Sequence, residues 1–170
     1  QEKLREICAQ KPGGDTLYIA DLMQFFRELL DFDEDLFDSS SRISNEVCLY
    51  APEGPQTIRP TYGLLKQDEA LPSEGSDTPA SLAATKYAAL IWDVTQIDNK
   101  HNSEAIGLSL DKPEATTGDW SYPAAAKFDR LLRHCHVPVG IMTNREVIRL
   151  VYAPHGESSG HITFRVDDMV

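Results

Sequence analysis

The chain has 170 residues, a formal net charge of −11 and 41% hydrophobic residues, which suits one domain with a core of ordinary size. It contains no apolar run near the roughly 18 residues of a membrane-spanning helix, and no charged-then-apolar start of a secretory signal. Three cysteines that are far apart do not make a disulfide framework. We therefore expect a cytoplasmic protein with no membrane partner.

The charge is distributed unevenly. Residues 1–120 contain 10 Lys/Arg and 22 Asp/Glu, a net charge of −12, whereas residues 121–170 contain 6 and 5, a net charge of +1. A negative surface opposes autonomous binding to the negative backbone of nucleic acid. We expect any contact with DNA to come from the last fifty residues.

The first predicted helix lies in TLYIADLMQFFRELLDF, residues 16–32, where apolar residues recur at helical spacing. Asp21 is the predicted N-cap. The acidic DFDEDLFD that follows is predicted to end this helix. The apolar stripe consists of Leu22, Phe25, Phe26, Leu29 and Leu30.

Three strands are predicted next. EVCLYAP (46–52) and TIRPTYGLLK (57–66) are rich in β-branched and aromatic residues and flank a turn, and Pro60 places the second at an edge or a bulge. KYAALIWDV (86–94) is almost continuously apolar, which predicts a strand buried on both faces. Residues 67–85 and 96–119 are predicted to be long surface loops.

SYPAAAKFDRLLRHCH (121–136) predicts a second helix that Ser121 caps, with Pro123 in its first turn. Its apolar stripe is Ala125, Phe128, Leu131, Leu132 and Cys135, with Lys127, Arg130, Arg133 and His134 mostly on the other side. Strands are predicted in VPVGIMTN, REVIRLVYAP and HITFRV, the last two joined by the turn HGESSG, with Ile162, Phe164 and Val166 on one face. The order α-β-β-β-α-β with an added hairpin indicates a mixed-sheet α/β fold.

Several short patterns lack the partners that their chemistry needs. His134, Cys135 and His136 have no second Cys/His pair at zinc-like spacing. HGESSG is not the Gly-x-Ser-x-Gly turn of a serine hydrolase, and no phosphate-binding loop is present. His101 and Asn102 are too short a match to a histidine-dependent nuclease.

One arrangement carries more information. Many metal-dependent nucleases place an acid after a proline on one strand and an acid-x-Lys triplet on the next, so that two carboxylates hold Mg²⁺ and the lysine positions water. Here Pro60 precedes Thr61, and Asp93 precedes Thr95 by two residues. Only the second acid is therefore present. A single acid at a strand end is otherwise a common cap or turn residue.

The segment AKFDRLLRHCHVPVGIMTNREVIRLVYAPHGESSGHITFRVDDM, residues 126–169, resembles a recurring segment of very large bacterial DNA methyltransferase and restriction-modification proteins. These include fused type II enzymes and the adenine methylases of phage-defence islands such as DISARM. In them a domain with the PD-(D/E)XK nuclease fold precedes a helical region and an adenine-methyltransferase domain. TIRPTYGLLK and YAALIWDV fall where the two nuclease motifs would lie.

The resemblance implies a restriction-endonuclease-like αβββαβ core, with a mixed central sheet flanked by helices and a C-terminal β-hairpin. It implies that residues 1–170 are a single nuclease-like domain at the N-terminus of a longer protein. Because Thr61 and Thr95 replace the first acid and the lysine, it also implies a degenerate, inactive site in which Asp93 is a relic. Asp93 is the one matched metal ligand if the site is active.

The resemblance leaves three roles open. The first is a non-catalytic domain that contacts the DNA backbone or docks against the downstream helical and methyltransferase domains; its DNA contacts would be Lys127, Arg130, Arg133, Arg145 and Arg149. The second is an active Mg²⁺-dependent endonuclease whose site is restored by Glu28, Glu46, Lys66 or Gln96. The third is a protein-interaction module, which the acidic first 120 residues favour. The domain itself needs no cofactor unless Mg²⁺ serves an active site, and S-adenosylmethionine belongs to the parent protein.

Overall fold

A computed structural model describes residues 2–11, 14–52, 54, 56–67, 78–97, 100–113 and 121–169. The helices of this part of the chain are α1 (Glu2–Ile7), α2 (Leu22–Leu29), α3 (Pro79–Ala84), α4 (Ala124–Cys135) and α5 (Val166–Met169). None of them is long and apolar enough to cross a membrane. Two 3₁₀ turns lie at Glu34–Leu36 and Ser103–Ala105.

Among the described residues, six strands form the main sheet, in the spatial order β12, β11, β10, β7, β6, β3. They are β3 (Phe37–Ser39), β6 (Tyr62–Leu65), β7 (Tyr87–Asp93), β10 (Val139–Thr143), β11 (Val147–Tyr152) and β12 (Gly160–Arg165). Strands β7 and β10 are parallel, and the other neighbours are antiparallel. Helix α4 lies in the crossover that a parallel pair requires.

In the ranges given above, three small hairpins lie outside this sheet. They are β1 (Cys8–Gln10) with β2 (Leu17–Ile19), β4 (Leu49–Ala51) with β5 (Gln56–Ile58), and β8 (Gln96–Ile97) with β9 (Lys100–His101). The predicted mixed α/β sheet flanked by helices is confirmed. Its elements occur along the chain as α2, β3, β6, β7, α4 and β10, followed by the hairpin β11–β12.

The two faces of the sheet bury separate apolar clusters. Along β7, Leu90 and Trp92 belong to the cluster that packs against α4, whereas Ile91 belongs to the cluster that packs against α1 and α2. This alternation confirms the prediction that β7 is buried on both faces. Phe128 of α4 packs on Trp92 with 6.0 Å between ring centroids.

The predicted antiparallel pairing of EVCLYAP with TIRPTYGLLK across a turn is confirmed for β4 and β5, but this hairpin does not supply the first strand of the main sheet. The chain forms β3 inside the acidic segment that was expected only to end a helix, whereas EVCLYAP contributes β4 to a separate hairpin. Tertiary contacts explain the difference: Phe37 stacks on Phe26 at 5.3 Å, and buried Asp38 accepts hydrogen bonds from Lys86 and Tyr87. Burial acts to raise the pKa of Asp38, but these donors outweigh burial and hold the pKa below its ordinary value.

The two helix caps had different outcomes. The Asp21 side chain accepts bonds from the backbone N–H groups of Met23 and Gln24, as predicted. Ser121 does not cap α4, because the helix begins one position after Pro123, which is its N-cap residue and makes no side-chain cap bond. The helix stripe is also wider than predicted, since Lys127 is buried with it.

Both predicted loops contain regular structure where they are described. Helix α3 lies within the range 67–85. Thr78 caps this helix and Pro79 is its first residue, and both signals were present in the sequence. The hairpin β8–β9 and a 3₁₀ turn lie in the range 96–119. Residues 68–77, 98–99 and 114–120 lie outside the described part of the chain.

Close packing of α4 on the sheet predicts the effect of one added methyl group. A Cβ at Gly140 of β10 would lie 2.6 Å from the Phe128 ring, whereas a Cβ at Gly160 of β12 would meet nothing within 4 Å. We expect Gly140→Ala to lower the free energy of unfolding by about 1–3 kcal/mol through overpacking, measured by urea denaturation. Gly160→Ala is the matched control, and an equal loss in both variants would contradict this account.

Candidate buried carboxylate–guanidinium centre

The candidate site lies at the carboxyl ends of the parallel strands β7 and β10. Asp93 ends β7 directly beside Thr143, the last residue of β10. Arg145 follows two residues after Thr143, in the turn to β11. Parallel pairing therefore brings together the loops that leave these two strands, although the residues lie 52 positions apart in the chain.

The carboxylate of Asp93 is fully enclosed and fully bonded. Its side chain is 0% exposed, and Oδ2 accepts bonds from Arg145 Nε at 2.7 Å and Nη2 at 2.6 Å. Oδ1 accepts bonds from the Thr95 backbone N–H at 3.0 Å and the Thr95 hydroxyl at 2.6 Å. Four donors thus satisfy one buried carboxylate, as burial of a charge requires.

The turn between β10 and β11 aims Arg145 at this carboxylate. Arg145 has φ +75°, a left-handed conformation that is costly for a residue with a Cβ. Asn144 supports the turn, because its Oδ1 accepts bonds from the N–H groups of Glu146 and Val147 and its Nδ2 donates to the Leu108 carbonyl. The ion pair with Asp93 helps to offset the backbone strain.

Arg145 also bonds to the residues that precede helix α2. Arg145 Nη1 donates to the carbonyl oxygens of Ile19 at 3.1 Å and Ala20 at 2.8 Å, just before α2 begins. The Ile19 N–H returns a bond to the Arg145 carbonyl at 2.9 Å. These bonds connect the sheet to β2 and to the start of α2 through one side chain, which is only 4% exposed.

The three positions of the nuclease-like pattern do come together. Thr61 Oγ1 accepts a bond from the Asp93 backbone N–H at 2.9 Å, and Thr95 binds the Asp93 carboxylate directly. All three side chains are buried. The strand spacing in the sequence therefore located the centre, but nothing in that pattern pointed to Arg145 as the partner of Asp93.

The residues present do not fit a hydrated Mg²⁺ ion. Mg²⁺ needs accessible oxygen ligands and retains several waters, whereas both oxygens of Asp93 are bonded and a cation is already paired with them. In the described ranges no group of three or more His, Cys, Asp or Glu side chains is arranged to hold a metal.

The residues proposed to restore a site lie in different places. Glu28 accepts bonds from its α2 neighbours Gln24 and Arg27, and Glu46 accepts a bond from Ser44 on an exposed turn. Lys66 follows the end of β6, at the opposite end of the β6–β7 pair from Asp93. Gln96 alone reaches the neighbourhood of the centre.

A hydrogen bond with Tyr62 connects Gln96 to the centre. Burial raises the pKa of the Tyr62 hydroxyl, and this pKa is also affected by the charges of Arg145, Asp21 and Asp93 and by a hydrogen bond with Gln96. Tyr62 therefore lies within the electrostatic range of the ion pair. Neither a tyrosine nor an amide supplies the missing acid and lysine.

The structure buries three of the five basic residues that were predicted to contact DNA. Arg145 faces Asp93, Lys127 donates to Gln56 at 2.7 Å, and Arg149 pairs with both oxygens of Asp111 at 2.5 and 2.8 Å. The Arg149 bonds hold the pKa of Asp111 below its ordinary value. Spacing alone did not show that these long side chains point inward.

Two of the predicted basic residues lie at the surface of α4. Arg130 is exposed, and Arg133 is partly exposed, with bonds to Asp129 at 2.9 Å and to the Pro154 carbonyl at 2.9 Å. The five residues therefore do not form one continuous basic surface. A phosphate backbone would meet Arg130 and Arg133 first.

Comparison with models of protein families, with curated proteins and with solved structures found no match for this chain. The geometry by itself defines a mixed α/β domain with a buried carboxylate–guanidinium centre at the end of its parallel strand pair.

The ion pair predicts a large and non-additive effect on stability. We expect Asp93→Ala to lower the free energy of unfolding by about 3–5 kcal/mol, because Arg145 would remain buried without its counter-charge. The double variant Asp93→Leu with Arg145→Met should recover a substantial part of that loss, since it buries no charge. Urea denaturation of the wild type, Asp93→Leu, Arg145→Met and the double variant completes a double-mutant cycle and measures the coupling.

The surface pair of Arg27 and Glu34 is the matched control, because it is exposed and its atoms lie 3.8 Å apart. Glu34→Ala should change the free energy of unfolding by less than about 0.5 kcal/mol. A loss at Asp93 as small as that at Glu34 would show that the buried pair does not organise the fold.

Proposed function

We propose that this chain is a non-catalytic, nuclease-fold domain of a bacterial DNA restriction-modification or phage-defence methyltransferase protein. Its role in this proposal is docking against other domains of that protein, with a smaller contribution from DNA-backbone contact. The domain works in the cytoplasm and requires no cofactor of its own. Methyl transfer from S-adenosylmethionine belongs to the rest of the parent protein.

Two kinds of observation support the nuclease-like ancestry. When α3 and the small hairpins that interrupt the order are set aside, α2, β3, β6, β7, α4 and β10 follow the αβββαβ order of that fold around a mixed sheet. Thr61 and Thr95, which align with the first acid and the lysine of nuclease sites, each bond to Asp93, which aligns with the second acid. The resemblance of residues 126–169 to the methyltransferase proteins supplies the biological setting.

The observation that carries the non-catalytic role is the pairing of Asp93 with Arg145. In a metal-dependent nuclease the remaining carboxylate would balance the charge of a divalent cation. Here Arg145 Nη2 lies 2.6 Å from Asp93 Oδ2, so the guanidinium balances the charge of the carboxylate. Asp93 is also fully buried. In this proposal the ion pair stabilises the fold at the position of a former active site.

The distribution of the basic residues favours docking over strong DNA binding. Lys127, Arg145 and Arg149 are committed to internal partners, and residues 1–120 carry a net charge of −12. Nearly all non-specific affinity for DNA comes from phosphate neutralisation. Of the predicted set, Arg130 is exposed and Arg133, which also pairs with Asp129, is partly exposed, so these two are the members that DNA could reach.

Metal binding and cleavage test the non-catalytic role. We expect calorimetry with Mn²⁺ or Mg²⁺ to show no site that depends on Asp93, and we expect no cleavage of plasmid DNA with either ion. Metal-dependent cutting by the wild-type domain that Asp93→Ala abolishes would establish the active endonuclease instead. Asp35→Ala, which removes an exposed carboxylate, controls for weak surface binding of the metal.

A reconstruction tests the ancestry. The triple variant Thr61→Asp, Thr95→Lys and Arg145→Ala restores the acid, acid and lysine pattern and removes the internal cation. We expect it to bind Mn²⁺ at millimolar concentration or tighter, and Asp93→Asn in the same background should abolish that binding. Circular dichroism checks that each variant folds. A folded triple variant without metal affinity would argue against a former nuclease site.

DNA binding at low salt separates the two remaining roles. We expect the affinity of a DNA duplex for the domain to be weak and to depend on Arg130 and Arg133. Replacing both by Gln should reduce the slope of log K against log salt by at most about 2. If the domain has no affinity for DNA at low salt, docking is the role that remains. If log K falls steeply with log salt and the double variant does not change that slope, the DNA contact lies elsewhere on the domain.

A further inference from the structure

Two imidazole rings stack where the end of α4 meets the turn between β11 and β12. The centroids of the His136 and His155 rings lie 4.4 Å apart, and the ring planes differ by 19°. His136 is the C-cap residue of α4 and is half-buried, whereas His155 is exposed and follows the last residue of β11 by three positions. The stack therefore joins α4 to residues 153–159, here called the hairpin turn.

The backbone fixes the His136 side of this contact. His136 has φ +54°, and its N–H donates to the carbonyl oxygens of Arg133 and Leu132. A left-handed residue that bonds to the last carbonyls is a common end of a helix. Phe128, Leu131 and Leu132 bury the inner side of α4 in the core. The His136 ring therefore belongs to a firmly packed element.

The hairpin turn is anchored at its base and exposed beyond it. The Ala153 N–H donates to the Pro138 carbonyl at 2.7 Å, and Arg133 Nη1 donates to the Pro154 carbonyl at 2.9 Å. Residues 155–159 are exposed. Loss of the stack would therefore release the turn beyond Pro154, while the two bonds at its base keep the end of β11 in place.

Groups on both elements oppose a positive charge on the His136 ring. Burial lowers the pKa of His136, and the charges of His155 and His134 lower it further. Arg133 adds a permanent positive charge in the same last turn of α4. Cations and imidazoles therefore surround this ring from α4 and from the hairpin turn.

The groups that favour a charge on His136 have less effect. The carbonyl end of α4 favours a cation. Asp129 already pairs with Arg133 at 2.9 Å, and Glu157 of the hairpin turn is exposed. The Cys135 thiol is uncharged at neutral pH, because burial raises its pKa to about 12. The pKa of His136 accordingly lies below its ordinary value.

We propose that the stack of His136 and His155 is a pH-sensitive contact, which holds the hairpin turn against α4 near neutral pH and opens when both rings are protonated. Neutral imidazoles stack through their aromatic faces, and a single proton still leaves one neutral ring as a partner for the cation. Two protons place like charges at a ring separation of 4.4 Å, which destabilises the contact. The inference goes beyond the proposed function, because it concerns regulation at the surface of the domain.

The pKa of His136 sets the pH range of the effect. Because folding lowers this pKa, the unfolded chain binds a proton at His136 more readily than the folded chain does. The stability that depends on the neutral ring is therefore fully present above the ordinary histidine pKa of about 6.5, and it is lost as the pH falls below that value. We expect the hairpin turn to open over the same range.

NMR of the wild-type protein at about pH 7.5 and about pH 5.5 tests the proposal. We expect nuclear Overhauser effects between the His136 and His155 rings at the higher pH, and we expect them to weaken by at least about twofold at the lower pH. His155→Phe removes one charge and retains an aromatic partner, so its ring-to-ring effects should persist at both pH values. The same variant should raise the pKa of His136, measured from its ring chemical shifts.

His101→Gln is the matched control, because it removes an exposed imidazole on β9, outside the stack. It should change neither the ring-to-ring effects nor the pKa of His136. His155 is exposed, so we expect His155→Phe to fold, and circular dichroism at both pH values checks this. Wild-type ring-to-ring effects that persist undiminished at the lower pH would overturn the proposal. Their equal loss in His155→Phe would also overturn it, as would an unchanged pKa of His136 in that variant.

Discussion

The buried ion pair of Asp93 and Arg145 joins three parts of the fold that the chain order keeps apart. It connects the end of β7, the β10–β11 turn and the carbonyls before α2. Burying two charges stabilises a fold only when every remaining donor and acceptor is used, and Thr95, Ile19 and Ala20 supply those partners here. Breaking such a pair costs about 3–5 kcal/mol, a large share of the 5–15 kcal/mol that stabilises a typical domain.

The same contacts decide what the centre can do chemically. A carboxylate that accepts four hydrogen bonds has no lone pair left in an open direction for a metal or a water. A guanidinium also cannot give up a proton at neutral pH, so it cannot replace a lysine as an acid or base. The observed bonding of Asp93 and Arg145 holds the end of β7, the β10–β11 turn and the start of α2 together.

Local patterns predicted local structure, and contacts distant in sequence produced the differences. The buried residues Leu22, Phe25 and Phe26 of α2, the Asp21 cap and strands β7, β10, β11 and β12 follow from periodicity and turn residues. Leu30 of the predicted stripe instead lies just after α2 and is 45% exposed. The three-residue strand β3 forms because Phe37 stacks on Phe26 and Asp38 meets Lys86, neither of which is visible in an acidic segment. The partner of Asp93 was equally hidden, since it lies 52 residues away.

The hairpin β11–β12 reverses the usual placement of side chains. Arg149 points inward, where Asp111 and Thr163 bind its guanidinium, whereas the next residue, Leu150, lies exposed with Ile162 opposite. An isolated domain would be more stable with the apolar side chains inside, since each buried one contributes about 1.5–3 kcal/mol. The pleat fixes both placements together, because neighbouring residues on a strand face opposite sides. Burying Arg149 against Asp111 therefore places Leu150 and its cross-strand partner Ile162 on the outer face of the hairpin.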